Sequence, residues 1–295
     1  MDTYTNSSFQ ELPDNRLDGE TEIRQAQLVM LGLLKNLDII CKKHNLTYWL
    51  EGGTLLGAVR HKGFIPWDDD LDVMMPREDF NKLLELPDSE FPQYIYHDKR
   101  VEFQRLRDRY SRREDEFCNA DEAFNSIYID IFPVKKFHYM RKVLSRLRMC
   151  IPPYTPPSIK NAKTVKSRLR RILAATLYYF LTYSGLQFII KLLCYLGPKN
   201  VWSYDLERTW HYHFNDKWLF PLKTLKFEDA YFPVPNNYHE WLKYNFGDYM
   251  TPKPDNHHNN IRILVTTPCR HPEARNWFDD FPETFTNTTS KGFNQ

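Results

Sequence analysis

Residues 48–76 read YWLEGGTLLGAVRHKGFIPWDDDLDVMMP, and no other part of the chain restricts the fold as tightly. A short apolar run, Tyr48-Trp49-Leu50, meets Gly52 and Gly53. A helix-like segment from Thr54 to Arg60 follows, and then Asp68, Asp69, Asp70 and Asp72 precede a second apolar run. Four carboxylates within five residues repel one another, and a fold keeps them together mainly where a cation neutralises the charge. In a strand, alternation would turn Asp68, Asp70 and Asp72 to one side and leave Leu71 and Val73 to anchor in the core. Paired glycines at a strand end let a ligand approach the backbone. Thr54 is placed to cap the next helix, whose first-turn N–H groups form an anion site. A phosphate at that helix start beside Mg2+, or Mn2+, on the aspartates is the arrangement that phosphoryl or nucleotidyl transfer requires.

Two other readings of the acidic run are simpler. From Asp68 the spacing imitates a calcium loop with Asp79 at its last ligand position, but Val73 stands where that loop needs glycine, and residues 73–76 are too apolar for a solvated loop. A solvated acidic turn accounts for Asp69 and leaves the other three unexplained.

The segment Gly52-Gly53-Thr54-Leu55-Leu56-Gly57-Ala58-Val59-Arg60, followed by Ile65-Pro66-Trp67-Asp68-Asp69-Asp70-Leu71-Asp72-Val73, resembles the signature of the LicD family of phosphocholine transferases, relatives of the fukutin-type phosphotransferases. The resemblance implies an α/β (α+β) fold with a polymerase-beta-like nucleotidyltransferase core, a mixed sheet and, in this chain, a helical basic insertion. It implies that Asp70 and Asp72 hold a divalent metal. It also implies that Asp130, in the run Tyr-Ile-Asp-Ile-Phe-Pro, is the third metal-site carboxylate or a general base, with Asp68 completing the shell. A carboxylate between Ile129 and Ile131 is in any case costly to bury without a cation or donor partner. Gly52, Gly53 and Thr54 are expected to cradle the donor's diphosphate and Arg60 to hold a phosphate. Trp67 is expected to stack on a base or quaternary ammonium or to fix the strand, and Arg107 is a further candidate phosphate contact. Residues 220–254 resemble the family again, and there Asp248 and Tyr249 are expected either to reach the acceptor or to form a structural C-terminal turn.

Charge divides the chain unevenly. Net charge is +2, yet between Asp130 and Asp205 there is no acidic residue and fourteen Lys or Arg, which leaves 26 basic residues against 38 acidic ones elsewhere. A basic block in an otherwise acidic protein points to an anionic partner surface. Within it, residues 172–190 carry no charge, a length that raises a membrane span. Its tyrosines, threonines and Gly185 weaken that reading, and a span would put residues 220–254 across the membrane from the aspartates. A helix lying in the interface, or a buried helical subdomain, is expected instead. Five widely spaced cysteines give neither a disulfide framework nor a zinc ribbon, and the polar, acidic residues 1–20 are not a secretory signal, so a cytoplasmic protein peripheral to the membrane is expected.

The spacing predicts a helix over 21–44, a helix over 77–86 after the aspartates, strands over 94–96, 101–106 and 126–134, and a helix over 238–246 capped by Asn237 and ended by Gly247. Gly63 is expected to end the helix after Gly53 in the left-handed region. The domains expected are a disordered N-terminus (1–20), a catalytic core (21–134), a basic and apolar insertion (135–218), a C-terminal part of the catalytic domain (219–254) and a peripheral tail (255–295). His211 and His213, in an aromatic stretch, are read as incidental to any metal. The function expected from the resemblance is Mg2+-dependent transfer of phosphocholine or a related alcohol phosphate from CDP-choline, or another CDP-alcohol, to a hydroxyl of a surface glycan or its lipid-linked precursor. Nucleotidyl transfer from an NTP and a non-enzymatic calcium-dependent membrane module are the alternatives, and nucleic acid is not an expected partner.

Overall fold

The computed structural model describes residues 12–114, 125–144, 164–205, 212–251, 262–266 and 276. The chain divides into two compact units, Met1–Phe132 with Pro221–Gln295, and Pro133–Phe220.

The first unit begins with α1, Glu22–Lys43, where the Thr21 side chain accepts from the Arg24 N–H. Its apolar stripe at helical spacing is buried: Met30, Leu33, Leu34, Leu37, Ile40 and Cys41 are at most 2% exposed. Next come β1 (Trp49–Leu50), α2 (Gly52–Arg60), β2 (Asp72–Pro76) and α3 (Arg77–Glu85), then β3 (Ile95–Asp98), β4 (Gln104–Asp108), β5 (Ser111–Glu114) and β6 (Tyr128–His138). The sheet order is β1-β2-β6-β4-β3, which interleaves strands distant in sequence. This is the mixed α/β fold expected. In β2 three successive residues, Val73, Met74 and Met75, are fully buried, as a strand covered on both faces requires.

Residues 12–18 are not a free tail. Arg16 is 3% exposed, and its guanidinium grips buried Asp108 through Nη1–Oδ2 at 3.0 Å and Nη2–Oδ1 at 2.9 Å. An isolated arginine in a polar segment gives no sequence signal of such a pairing. Residues 1–11 of the expected disordered N-terminus lie outside the described residues, as does His211.

In the second unit, Val134 to His138 of β6 pair with β7 (Lys199–Tyr204), which pairs with β8 (Phe214–Asn215). Around them lie α4 (Tyr139–Leu144), α5 (Val165–Tyr183), α6 (Leu186–Leu193) and α7 (Asp216–Leu219). The uncharged run 172–190 is not one helix, because Gly185 sits in the left-handed region at φ 75° and separates α5 from α6. Among the described residues no helix is long and apolar enough to cross a membrane.

The chain re-enters the first unit through the hairpin β9 (Lys223–Phe227) and β10 (Ala230–Val234), and then α8 (Tyr238–Phe246) and β11 (Arg262–Thr266), which pairs with β5. The Asn237 side chain accepts from Glu240 N–H and Gly247 ends α8 at φ 71°, as the spacing predicts.

Candidate active site

The aspartates are brought together differently from the way strand alternation suggests. Strand β2 begins only at Asp72, so Asp68, Asp69 and Asp70 occupy the loop before it. The loop nevertheless turns Asp68 and Asp70 into side-chain hydrogen-bonding contact and leaves Asp72 within the field of both. Burial pushes Asp68 up to about 8, and the charges of Asp70 and Asp69 add to the shift. Asp72 is raised for the same first reason, with Asp70, Asp130, Glu51 and Asp68 contributing. Carboxylates pressed this closely hold on to protons unless a cation replaces them.

The glycine turn lies against the same carboxylates. Gly52 is in the left-handed region at φ 55°, and a Cβ there would come 3.3 Å from Asp72 Oδ2. At Gly53 a Cβ would stand 2.7 Å from Asp68 Oδ2, a distance that side chains do not tolerate. Thr54 does not cap the helix. Helix α2 starts at Gly52, and buried Thr54 accepts from the Asp72 N–H at 2.9 Å. The Glu51 N–H donates to the Asp72 carbonyl at 3.1 Å. Asp72 is thus held on both sides of its backbone by the turn that precedes it in sequence.

Glu51 itself was not singled out from the sequence. Its carboxyl is buried, accepts from Trp241 Nε1 at 2.7 Å and from the Gly52 N–H, and is pushed up to about 8 by burial in spite of both donors. A lone glutamate before two glycines carries no signal of a partner in α8.

Asp130 lies beside the loop, its N–H donating to the Leu71 carbonyl at 2.9 Å. Its side chain is half-buried between fully buried Ile129 and Ile131, and Arg105 Nε donates to Oδ1 at 2.6 Å. That pairing supplies the donor partner that the isoleucine flanks demand. The Arg105 guanidinium also lies over the Tyr128 ring, 4.0 Å from its centre. Arg107 is a correction to the expected phosphate contact. It is 1% exposed and donates through Nε to Asp98 at 3.0 Å, so the cation facing Asp130 is Arg105, two residues earlier on the same side of β4.

Arg60 is half-buried near Asp68 and donates through Nη1 to the Tyr249 carbonyl at 3.1 Å, which joins the end of α2 to the turn after α8. Trp67 meets the His61 ring edge-on at 6.4 Å. Asp248 is exposed and accepts from Thr251 at 2.8 Å, within a local turn. Gly63 does not adopt the left-handed conformation; Lys62 does, at φ 63°. A Cβ at Gly63 would lie 2.4 Å from Glu228 Oε1, and Glu228 is fastened by Arg24 at 2.6 Å and by the Phe64 N–H at 3.0 Å.

All-oxygen, closely coupled donors suit a hard divalent cation such as Mg2+. Asp70 and Asp72 are the residues that would hold it, with Asp68 hydrogen-bonded beside them and Asp130 engaged by Arg105. Among the described residues no group of three acidic, histidine or cysteine side chains is already arranged as a finished metal site. The calcium-loop reading fails on the backbone, since residues 72–76 are a strand and Asp79 accepts from the Thr47 N–H at 3.0 Å and from Lys82 at 2.7 Å.

Residues 45–149 match the family model described as LicD/FKTN/FKRP, nucleotidyltransferase domain. The lipopolysaccharide cholinephosphotransferase LicD of Haemophilus influenzae is 29% identical over 252 residues, 79% of this chain and 93% of that protein. An uncharacterised protein of Rickettsia typhi is 33% identical over 126 residues, 38% of this chain and 40% of that one. Mouse ribitol 5-phosphate transferase FKRP is 34% identical over 91 residues, 29% of this chain but 16% of that protein.

Proposed function

We propose that this chain, which carries a LicD-type nucleotidyltransferase domain at residues 45–149, transfers phosphocholine or a related alcohol phosphate from a CDP-linked donor to a glycan hydroxyl. The observation that carries the reading is the glycine turn at the start of α2, set directly against Asp68 and Asp72, where a Cβ at Gly53 would stand 2.7 Å from Asp68 Oδ2. Relatives named for the transfer of phosphate-bearing groups, one to lipopolysaccharide, support it.

In this reading the backbone N–H groups at the start of α2 hold the donor diphosphate, aided by the helix dipole and by Arg60. Asp70 and Asp72 would hold Mg2+, which would supply neutralisation of the charge developing on the transferred phosphoryl group. Asp68 takes the proton from the acceptor hydroxyl as its oxygen bonds to the phosphorus bearing the alcohol, and CMP departs. Asp130, neutralised by Arg105, orients the shell.

The test is to incubate purified protein with Mg2+, a panel of CDP-alcohols and a glycan acceptor, and to measure CMP. Wild type should release CMP only with metal and acceptor present, and Asp70→Asn and Asp72→Asn should lower the rate by at least about a hundredfold. Undiminished release in both variants would remove the site from the reaction. Because the family model is described as a nucleotidyltransferase domain, pyrophosphate release from an NTP is the second readout, and finding it in place of CMP assigns NMP transfer.

A further inference from the structure

Among the described residues, the second unit carries an exposed apolar surface. In α5 the residues Val165, Leu169, Ile172, Leu173, Phe180 and Tyr183 are all exposed, Leu173 at 69% and Tyr183 at 85%. At the helical repeat they fall within an arc of about 100°. Leu181, on the opposite side, is buried, and Ala174 and Tyr178 beside it are half-buried. Helix α6 does the same, with Phe188 at 72% exposed and Ile189 and Leu192 also bare. Soluble helices ordinarily turn one apolar stripe inward; these also turn one outward.

Charge frames the bare stripe. On the same helical projection Lys166 and Arg168 project from the two edges of the arc, with Arg170 and Arg171 further round and Lys191 on α6. No acidic residue occurs between Asp130 and Asp205 to offset them. A second copy of the chain would set like charges against like, whereas an anionic lipid surface answers both features at once. The apolar stripe is accommodated at the headgroup and acyl boundary and the cations among the headgroups. The break at Gly185 gives two short segments suited to lying along a surface.

We propose that α5 and α6 form an in-plane docking surface for an anionic phospholipid bilayer. The reaction assigned to the first unit is not needed for this inference.

The experiment is flotation of the full-length protein with vesicles of phosphatidylcholine alone and of phosphatidylcholine with about one third phosphatidylglycerol, over a range of salt. Wild type should float with the anionic vesicles at least about tenfold better than with the neutral ones, and the preference should decline as salt screens the cations. Lys166→Gln with Arg170→Gln should erase the preference. Phe188→Ser with Leu192→Ser changes only exposed side chains and should weaken binding to the anionic vesicles by more than about tenfold, with an unchanged circular dichroism spectrum and melting temperature. No flotation with either vesicle, or flotation indifferent to both double variants, would overturn the proposal. So would a wild-type dimer in sedimentation that Phe188→Ser with Leu192→Ser converts to monomer, since the face would then belong to a second copy.

Discussion

Arg105 and Asp130 face one another directly across the β4–β6 pair, with Nε 2.6 Å from Oδ1. The pair lies next to Asp72, whose own charge is opposed by burial and by Asp70, Asp130, Glu51 and Asp68. Arg105→Ala should cost about 1–3 kcal/mol of stability, the loss expected for a half-buried charged hydrogen bond. It should also slow CMP release by about tenfold or more, and Arg105→Lys should recover stability better than rate because a lysine lacks the planar fork. Thermal melts and steady-state rates on the same preparations separate the two effects.

Gly53→Ala probes the contact between the turn and the acidic loop. The added methyl would stand 2.7 Å from Asp68 Oδ2, so the carboxylate must move. Since Gly53 is not in the left-handed region, the fold should lose no more than about 1–2 kcal/mol, while activity should drop by roughly a hundredfold. Gly52→Ala adds backbone strain at φ 55° and should be the less stable of the two. Melting curves and rates of the pair, compared side by side, check the order.

His97 gives a pH signature that is independent of the acidic cluster. It is buried and paired with Gln104, and burial pushes it down to about 4. The unfolded chain takes up a proton below about 6.5, the folded one only near 4, so the unfolded state binds more protons between these values. Its contribution to stability is therefore fully present above about pH 6.5 and is lost as the pH falls toward 4, by up to roughly 3 kcal/mol. His97→Gln should flatten the dependence of melting temperature on pH in that window relative to wild type, and an unchanged slope would contradict the assignment.

Arg16 secures the N-terminal segment to β4. Arg16→Met leaves Asp108 buried without its cation and should destabilise by about 3–5 kcal/mol. Arg16→Met with Asp108→Leu should restore much of that loss, which denaturant titration of the single and double variants measures.

The elements readable from the sequence were those whose determinants are local. Helix α1 announces itself by six apolar residues at helical spacing, and α8 by Asn237 at one end and Gly247 at the other. The run around Ile129 and Ile131 reads as a strand because a central strand must be apolar. What escaped was set by partners far away in the chain. Glycine at position 63 looks like a helix terminator, but the residue it makes room for is Glu228. Arg105 and Arg107 are indistinguishable by composition, and only the register of β4 decides which faces Asp130 and which is drawn to Asp98. Strand alternation misplaced Asp68 and Asp70 because the chain does not become extended until Asp72.

The bond from Trp241 to Glu51 spans 190 positions of sequence. A ribosome has therefore released the glycine turn long before the indole that completes its buried underside exists. Under the proposed function, the nascent protein should not bind the donor diphosphate until synthesis has passed α8, a delay between making the acidic loop and completing its support.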